Sequence, residues 1–412
     1  DDHDRSGRYT ARDMAFNHLM TTENNSMLVT HGDNDTFPLW YAQEVEGIRT
    51  DVRIVNTSLL GTDWYIDQMQ RRQYESDPLE IDIPRIQYLY GTNEYVPVFD
   101  QRNEVMDIHD VMMLFRHPKV KAPMASGRDV DYIASRRISV PVNKENVIKY
   151  GILSPEYADQ IPDSIILTIP ENHDYLTKPE LFILDLLDGY QWDRPICFLN
   201  NGGDINVGVK DYFMYTGYSY RFVPVKNKIS ATEIGFVDTD ELYRNMTQTY
   251  KFDALSSGDY FVDYQNMYTH LGVMAVRQLF INAAKAFAKA GENGRALEML
   301  DKGLEVMKDY PLESIALGFA GNDYVVIEMV ENYYKLGQKD KARDLGSTMG
   351  AELLKTARFY MEYYEWAQSD FEMAGNYIYF LGDVFNTAGD KELGDKLVET
   401  FTKMIEDYSG ES

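Results

Sequence analysis

The chain has 412 residues, 44% hydrophobic and 26% charged, with 66 acidic and 40 basic side chains for a net charge of −26. A chain of this length can bury more than one core, so we expect about two or three domains. The acidic excess argues against nucleic acid or an anionic membrane surface as a partner, because phosphate binding needs clustered Lys and Arg.

The sequence of the N-terminal part predicts a helix followed by a strand-loop-helix-strand unit. Apolar residues recur at helical spacing from about residue 8 to residue 23. Two short apolar runs follow, Met27–Thr30 and residues 52–55, with a helical segment between them. This order is typical of an α/β sheet, in which polar loops at the carboxyl ends of the strands bind ligands.

A second unit of the same order is predicted after an irregular, Pro-rich segment near residues 78–162. It comprises a strand at 164–169, a helix at Lys178–Leu187 and a strand at 195–199. Parallel strands joined by helices favour an open, mostly parallel, Rossmann-like sheet. We therefore assign an α/β domain to residues 1–250.

The chain after residue 256 predicts an all-α domain that extends to residue 412. Ala, Leu, Glu, Lys and Tyr dominate there at helical spacing, and short Gly-containing turns separate the segments. Ala296, Ala342 and Gly394 match small positions of tetratricopeptide helix pairs, but they lie 46 and 52 residues apart, against about 34 in that repeat. We expect tetratricopeptide-like pairs with additional segments; a plain helical bundle is the alternative.

The acidic loop after the first strand is a candidate cation site. Asp33 and Asp35 flank Asn34 and present hard oxygen ligands, which a divalent cation prefers. The alternative is structural: Thr36 caps a helix that begins near Phe37, and the acids oppose the dipole of that helix.

Polar residues follow each predicted strand, and parallel pairing would bring them to one edge of the sheet. Amides, acids and hydroxyls beside tryptophan rings are typical of surfaces that bind sugars. The candidate ligand-binding residues are Asp33, Asn34, Asp35, Thr36, Trp40, Asn56, Ser58, Asp63, Trp64, Asn172, His173, Asn200 and Asn201.

The chain contains no nucleophile elbow, zinc-protease motif, phosphate-binding loop or dinucleotide fingerprint. We therefore favour binding over chemistry, and no catalytic residue is assigned. One alternative is a metal-assisted hydrolase or transferase in which Asp33 and Asp35 hold the cation and His31 or His173 moves protons. Another is a structural lid or dimerisation module with a large apolar patch.

The segments DDHDRSGRYTARDMAFNHL, THGDNDTFPLWYAQEVEGIRTDVRIVNTSLL and DWYIDQM resemble a large bacterial protein family of unknown function. The resemblance covers residues 1–221, where GYSYRFVP also fits, and extends more loosely to the helical tail. His31 stands where that family is expected to have Asn. Family members carry a multi-pass N-terminal half that looks like a membrane-embedded, lipid-sugar-dependent glycosyltransferase, and this region follows it.

The resemblance implies a region on the periplasmic side of the bacterial inner membrane, covalently attached to that membrane domain. The absence of an initiator Met also suggests a piece of a longer protein. Presumed catalytic groups of the family lie on membrane-domain loops, so the full-length protein is a candidate glycosyltransferase and this region is not. Its expected role is to bind a glycan, an acceptor polypeptide or a partner subunit, and it does not itself span a membrane.

Overall fold

A computed structural model describes residues 9–100, 103–124, 127–199, 205–227, 234–256, 273–310, 312 and 321–411. The chain divides into two compact units. The α/β unit is Met14–Lys251, and the helical unit is Phe252–Ser412 together with Asp1–Asp13. The predicted order, an α/β region followed by an all-helical region, is confirmed.

The first half of the α/β unit contains the elements that build its main sheet and the covering helices. They are α1 Thr10–Met20, β1 Met27–Thr30, α2 Gly32–Glu44, β2 Arg53–Asn56, a 3-10 turn Leu59–Gly61, α3 Asp63–Met69, α4 Arg85–Tyr88, β3 Val96–Pro97, β4 Val105–Asp107, α5 Ile108–Arg116, β5 Ala122–Pro123 and β6 Asp129–Val130.

The second half completes the main sheet, a three-stranded sheet and the two-stranded ribbon that contains β3. Its elements are β7 Arg137–Pro141, α6 Lys144–Lys149, a 3-10 helix Pro155–Gln160, β8 Ser164–Thr168, β9 Tyr175–Leu176, α7 Lys178–Leu187, β10 Ile196–Phe198, a 3-10 helix Val209–Tyr212, β11 Phe213–Tyr215, β12 Tyr220–Phe222, α8 Thr239–Arg244 and a π-helix Asn245–Thr249.

Within the described residues the main sheet has the strand order β11-β12-β10-β1-β2. β1 pairs in parallel with β2 on one side and with β10 on the other, while β12 and β11 add antiparallel strands beyond β10. The parallel centre matches the prediction, and the antiparallel edge makes the sheet mixed.

Both faces of the parallel centre are buried, which explains why its strands are continuous apolar runs. Leu28, Ile54 and Cys197 point to a small core that includes residues of α1 and α2. Met27 and Val55 point to the other face and join the large core that includes residues of α3 and α7. The single cysteine is therefore a core residue with a free thiol, and burial raises its pKa to about 12.

A second sheet, with the order β4-β7-β8, corrects the predicted position of strand 164–169. β8 pairs antiparallel with β7, and β7 pairs in parallel with β4, so β8 is not a neighbour of β10. The physical reason is visible in β8, where buried side chains alternate with more exposed ones as in a strand covered on one face. The Pro-rich segment contributes β4 and β7 to this sheet.

The helical unit consists, where described, of α9 Asp253–Ser256 and three helix pairs. The pairs are α10 Val273–Lys289 with α11 Asn293–Val306, α12 Gly321–Lys335 with α13 Lys339–Glu362, and α14 Tyr364–Thr387 with α15 Lys391–Glu411.

The three pairs share one type of turn between their helices. Gly291, Gly337 and Gly389 each adopt positive φ at the centre of a three-residue turn. The next amide donates to a carbonyl five residues back, on Phe287, Tyr333 and Phe385 respectively, as in a Schellman cap. α13 and α14 have 24 residues each, which accounts for the 52-residue spacing between Ala342 and Gly394. None of the helices described is long and apolar enough to cross a membrane.

Candidate functional site

The start of α2 lies at the carboxyl end of β1 and forms the centre of the candidate site. α2 begins at Gly32, five residues before the predicted start, with His31 as its N-cap. Gly32 has a φ of +73°, which allows the sharp change from strand to helix. Thr36 is therefore inside the helix and is not its cap, and its hydroxyl donates to the carbonyl of Gly32 at 2.8 Å.

Asn56, at the end of β2, ties the two predicted strand ends together. Its Nδ2 donates to Thr36 Oγ1 at 2.8 Å and to the carbonyl of Gly32 at 3.2 Å. Its Oδ1 accepts from the amide of Leu59 at 3.1 Å. Asn56 is 1% exposed, so it is not available to a ligand. Its hydrogen bonds instead fix the start of α2 against the end of β2.

A second set of bonds links His31 to both strands. His31 Nδ1 lies 2.9 Å from Thr57 Oγ1, and Thr57 Oγ1 lies 3.1 Å from the carbonyl of Thr30. The amide of His31 donates to Asp35 Oδ2 at 3.1 Å, and Asp35 is 2% exposed. The carboxylate of Asp35 therefore caps the start of its own helix.

The side chains left outward at this edge combine acceptors, donors and rings. Asp33, Asn34 and Ser58 are exposed, and Phe37 and Trp64 are 50% and 53% exposed. We call these five residues the carboxyl-edge surface. Phe37 does not stand among the predicted site residues, because its apolar side chain gave no polar signal.

Two rings of the predicted site are supported from behind. Trp40 packs against both cores and stacks on Phe37 with ring centroids 5.5 Å apart and planes at 25°. Trp64 follows Asp63 at the start of α3 and meets Tyr65 edge to face at 5.5 Å. The hydroxyl of Tyr65 accepts from the amide of Asn56 at 3.0 Å, and burial raises its pKa to about 12.

Asp33 and Asp35 are two positions apart on one helix, so their side chains leave it in different directions. Asp33 is exposed, whereas Asp35 is buried against the amide of His31. Among the described residues, no group of three or more His, Cys, Asp and Glu is placed to hold a metal ion.

Asn172 and His173 follow β8 and so lie at the end of a strand of the second sheet. His173 Nε2 is 2.8 Å from Glu180 Oε1, and Glu180 also accepts from the amide of Thr177 in the capping box of α7. The bonds of His173 therefore belong to α7. Asn200 and Asn201 lie outside the described residues.

A cleft of about 280 Å³ lies at the amino end of the main sheet, beside the first residue of β1. Asp77, Glu80 and Asp193 line it together with Arg194. Arg194 donates to the carbonyls of Asn25 and Asp77, and burial lowers its pKa to about 10. The residues that line this cleft lie in turns far apart in the sequence, so no local pattern predicts it.

The fold defines a class: an α/β unit with a polar, aromatic edge, followed in the chain by helical repeats. A family model described as TMEM260-associated domain 2 matches residues 11–241, more than half of the chain. The chain belongs to this family, which places it with proteins related to TMEM260. A search of curated proteins and a search of solved structures give no match.

Proposed function

We propose that this chain is the binding region of a membrane-attached, glycosyltransferase-like protein, and that it holds a glycan, an acceptor polypeptide or a partner subunit at its carboxyl-edge surface. One observation carries the proposal. The buried polar groups of the edge, led by Asn56, bond to one another, while Asp33, Asn34 and Ser58 point outward beside two ring faces.

The chemistry of this surface suits a ligand rich in hydroxyl or amide groups. The Asp33 carboxylate accepts hydrogen bonds, and the Asn34 amide both donates and accepts. Pro38 has no N–H to donate to the Asn34 carbonyl, so this backbone acceptor does not receive the usual helical bond from position 38. Exposed Phe37 and Trp64 offer apolar ring area for the C–H face of a sugar or for an apolar side chain.

The cellular side is part of the proposal. The family match supports a membrane-protein context, and the resemblance described above implies the periplasmic side of a bacterial inner membrane. In that arrangement the membrane domain carries out sugar transfer, and the region described here positions one of the participants.

The test is a calorimetric titration of the 412-residue chain with two probes. The first is a set of neutral tetrasaccharides of glucose, mannose and N-acetylglucosamine; the second is reduced, carboxymethylated lactalbumin as an unfolded polypeptide. The edge variant combines Asp33→Ala, Phe37→Ala and Trp64→Ala, all at exposed positions. Wild type should bind at least one probe, and the edge variant should bind it about tenfold more weakly.

Trp366→Ala is the matched control, because Trp366 is 89% exposed and belongs to the helical unit. It should bind like wild type. Binding that is the same in wild type and the edge variant, or no binding of either probe, would count against the proposal.

A further inference from the structure

A row of three rings lies on and beside the ribbon formed by β3 and β9, which is a separate sheet from the main one. The rings of Tyr95 and Tyr175 meet edge to face with centroids 5.0 Å apart. The ring of His173 lies 6.0 Å from that of Tyr175. Tyr95 is 67% exposed and Tyr175 is 48% exposed, so ring area remains open to solvent. We call these three residues the aromatic strip.

The backbone holds both tyrosines in place. β3 and β9 pair antiparallel, with Pro97 opposite Tyr175, and the amide of Val98 donates to the carbonyl of Asp174 at 2.9 Å. Tyr95 is two residues before Pro97 and therefore lies on the same face of the ribbon as Tyr175. Ordering of the rings thus precedes any binding, which lowers the entropic cost of association.

The ring of His173 is held by a hydrogen bond to a buried carboxylate. His173 Nε2 is 2.8 Å from Oε1 of Glu180, which is 1% exposed. The backbone carbonyl of His173 accepts from Arg136 at 2.9 Å, and the same guanidinium bonds the carbonyl of Pro170. Both the ring and the loop that carries it are therefore anchored.

The charges around the strip discriminate between ligand classes. The cation of Lys178 is paired with Glu94 at 2.7 Å, and its side chain is 2% exposed. Arg136 is occupied by two carbonyls and by Asp174 at 2.8 Å. These cations are committed to the protein itself, whereas Asn172 and Asp174 present acceptors to solvent. Such surroundings disfavour phosphate, sulfate and carboxylate ligands and favour groups that donate hydrogen bonds.

We infer that the aromatic strip is a second binding site, which stacks the C–H face of a neutral sugar ring and accepts bonds from its hydroxyls through Asp174 and Asn172. Aromatic faces attract apolar C–H surface, and carboxylate and amide oxygens accept from hydroxyl groups. The site is built from other residues than the carboxyl-edge surface, so it goes beyond the proposed function and either site can fail without the other.

Saturation-transfer NMR with the neutral tetrasaccharides named above tests the site. Wild type should transfer saturation to ring protons of at least one sugar, with a dissociation constant below about 10 mM. The combined Tyr95→Ala and Tyr175→Ala variant should bind about tenfold more weakly. Tyr175→Phe, which keeps the ring, should stay within about twofold of wild type. Tyr324→Ala is the control, since Tyr324 is also 48% exposed but lies in the helical unit.

The edge variant separates this inference from the proposed function. If the strip binds sugar, the edge variant retains a saturation signal, and adding Tyr95→Ala and Tyr175→Ala to the edge variant removes that signal. The inference is overturned if wild type binds none of the sugars at about 10 mM, or if the two tyrosine substitutions leave the saturation signal of the edge variant unchanged. Oligolysine serves as a further probe. The inference is also overturned if oligolysine is the only ligand whose binding depends on the two tyrosines and if its affinity falls steeply with salt. That result would indicate a site for a basic polypeptide.

Discussion

Asn56 donates a hydrogen bond from Nδ2 to Oγ1 of Thr36 at 2.8 Å, which joins the end of β2 to the first turns of α2. The same amide reaches the carbonyl of Gly32, where the helix begins. Two residues predicted to bind a ligand are thus bonded to each other inside the protein. Asn56 and Thr36 fix the backbone beneath the carboxyl-edge surface, and the exposed residues of that surface would contact a ligand.

Asn56→Ala should therefore destabilise the α/β unit by about 1 to 3 kcal/mol, because it removes three hydrogen bonds and leaves the Leu59 amide without the acceptor Asn56 Oδ1. Urea unfolding followed by circular dichroism measures the change. Ser58→Ala, at an exposed position two residues later, should stay within about 0.5 kcal/mol of wild type. Equal effects of the two substitutions would contradict the structural role of Asn56.

Arg221→Met should cost about 3 to 5 kcal/mol, since it leaves the largely buried carboxylate of Glu241 and the partly exposed one of Glu23 without their cation. Arg221 is 1% exposed and contacts Glu23 and Glu241, each at 2.6 Å. Arg72→Met is the control: Arg72 is 68% exposed and lies 3.9 Å from Asp77, so its loss should cost less than about 0.5 kcal/mol. Urea unfolding at neutral pH compares the two variants. A decrease of less than about 1 kcal/mol in the free energy of unfolding of Arg221→Met would contradict a stabilising role for the ion pairs of Arg221 with Glu23 and Glu241.

Two glycines of α11 should respond in opposite directions to alanine. A Cβ at Gly303 would lie 2.9 Å from Cβ of Phe280 on α10, so Gly303→Ala should destabilise the helical unit by about 1 to 3 kcal/mol. A Cβ at Gly294 meets nothing within 4 Å, so Gly294→Ala should stabilise by up to about 1 kcal/mol through helix propensity. Thermal unfolding of both variants provides the comparison. A neutral result at Gly303 would contradict the close packing of the first helix pair.

The third repeat turn should carry an acid-sensitive contribution to stability. Hydrogen bonds from Arg343 and Tyr334 lower the pKa of Asp390 from 3.8 to about 2. A carboxylate with a lowered folded pKa stabilises the fold above its unfolded pKa, and this stabilisation is lost as pH falls through the folded value. Because Arg343 is 43% exposed, the contribution should be only about 1 kcal/mol.

Asp390→Asn should therefore be less stable than wild type at pH 7, and the difference should vanish near pH 2. Urea unfolding at about pH 7, 4 and 2 measures it. Asp383→Asn, at an exposed position on α14, removes the same charge and should show no such pH dependence. A difference that persists at pH 2 would mean that the Asn side chain disturbs packing rather than an ion pair.

Local sequence signals predicted the fold where both the strand and its partner were continuous apolar runs. β1 and β2 are buried on both faces and separated by one helix, so their parallel pairing follows from the chain order. The repeat turns were also visible, because Gly291, Gly337 and Gly389 supply positive φ at equivalent positions. Both features depend on residues close together in the chain.

Features set by distant residues could not be predicted. β8 has an apolar centre like β10, but its place in the second sheet depends on pairing with β7, which a Pro-rich segment carries. His173 was a predicted site residue, but Phe37, Tyr95 and Tyr175 became visible only through exposure and packing. The start of α2 at Gly32 depends on Asp35, which accepts from the amide of His31, and on Asn56, which donates to the carbonyl of Gly32, and not on an N-cap side chain.

Hydrogen exchange of the 412-residue chain, with and without the probe that binds it in the calorimetric titration, tests the central claim most directly. If the carboxyl-edge surface holds that ligand, amide exchange should slow in residues 31–37 and 58–64 and stay unchanged around Trp366. Protection confined to other segments, or no protection at saturation, would contradict the proposed role of this edge.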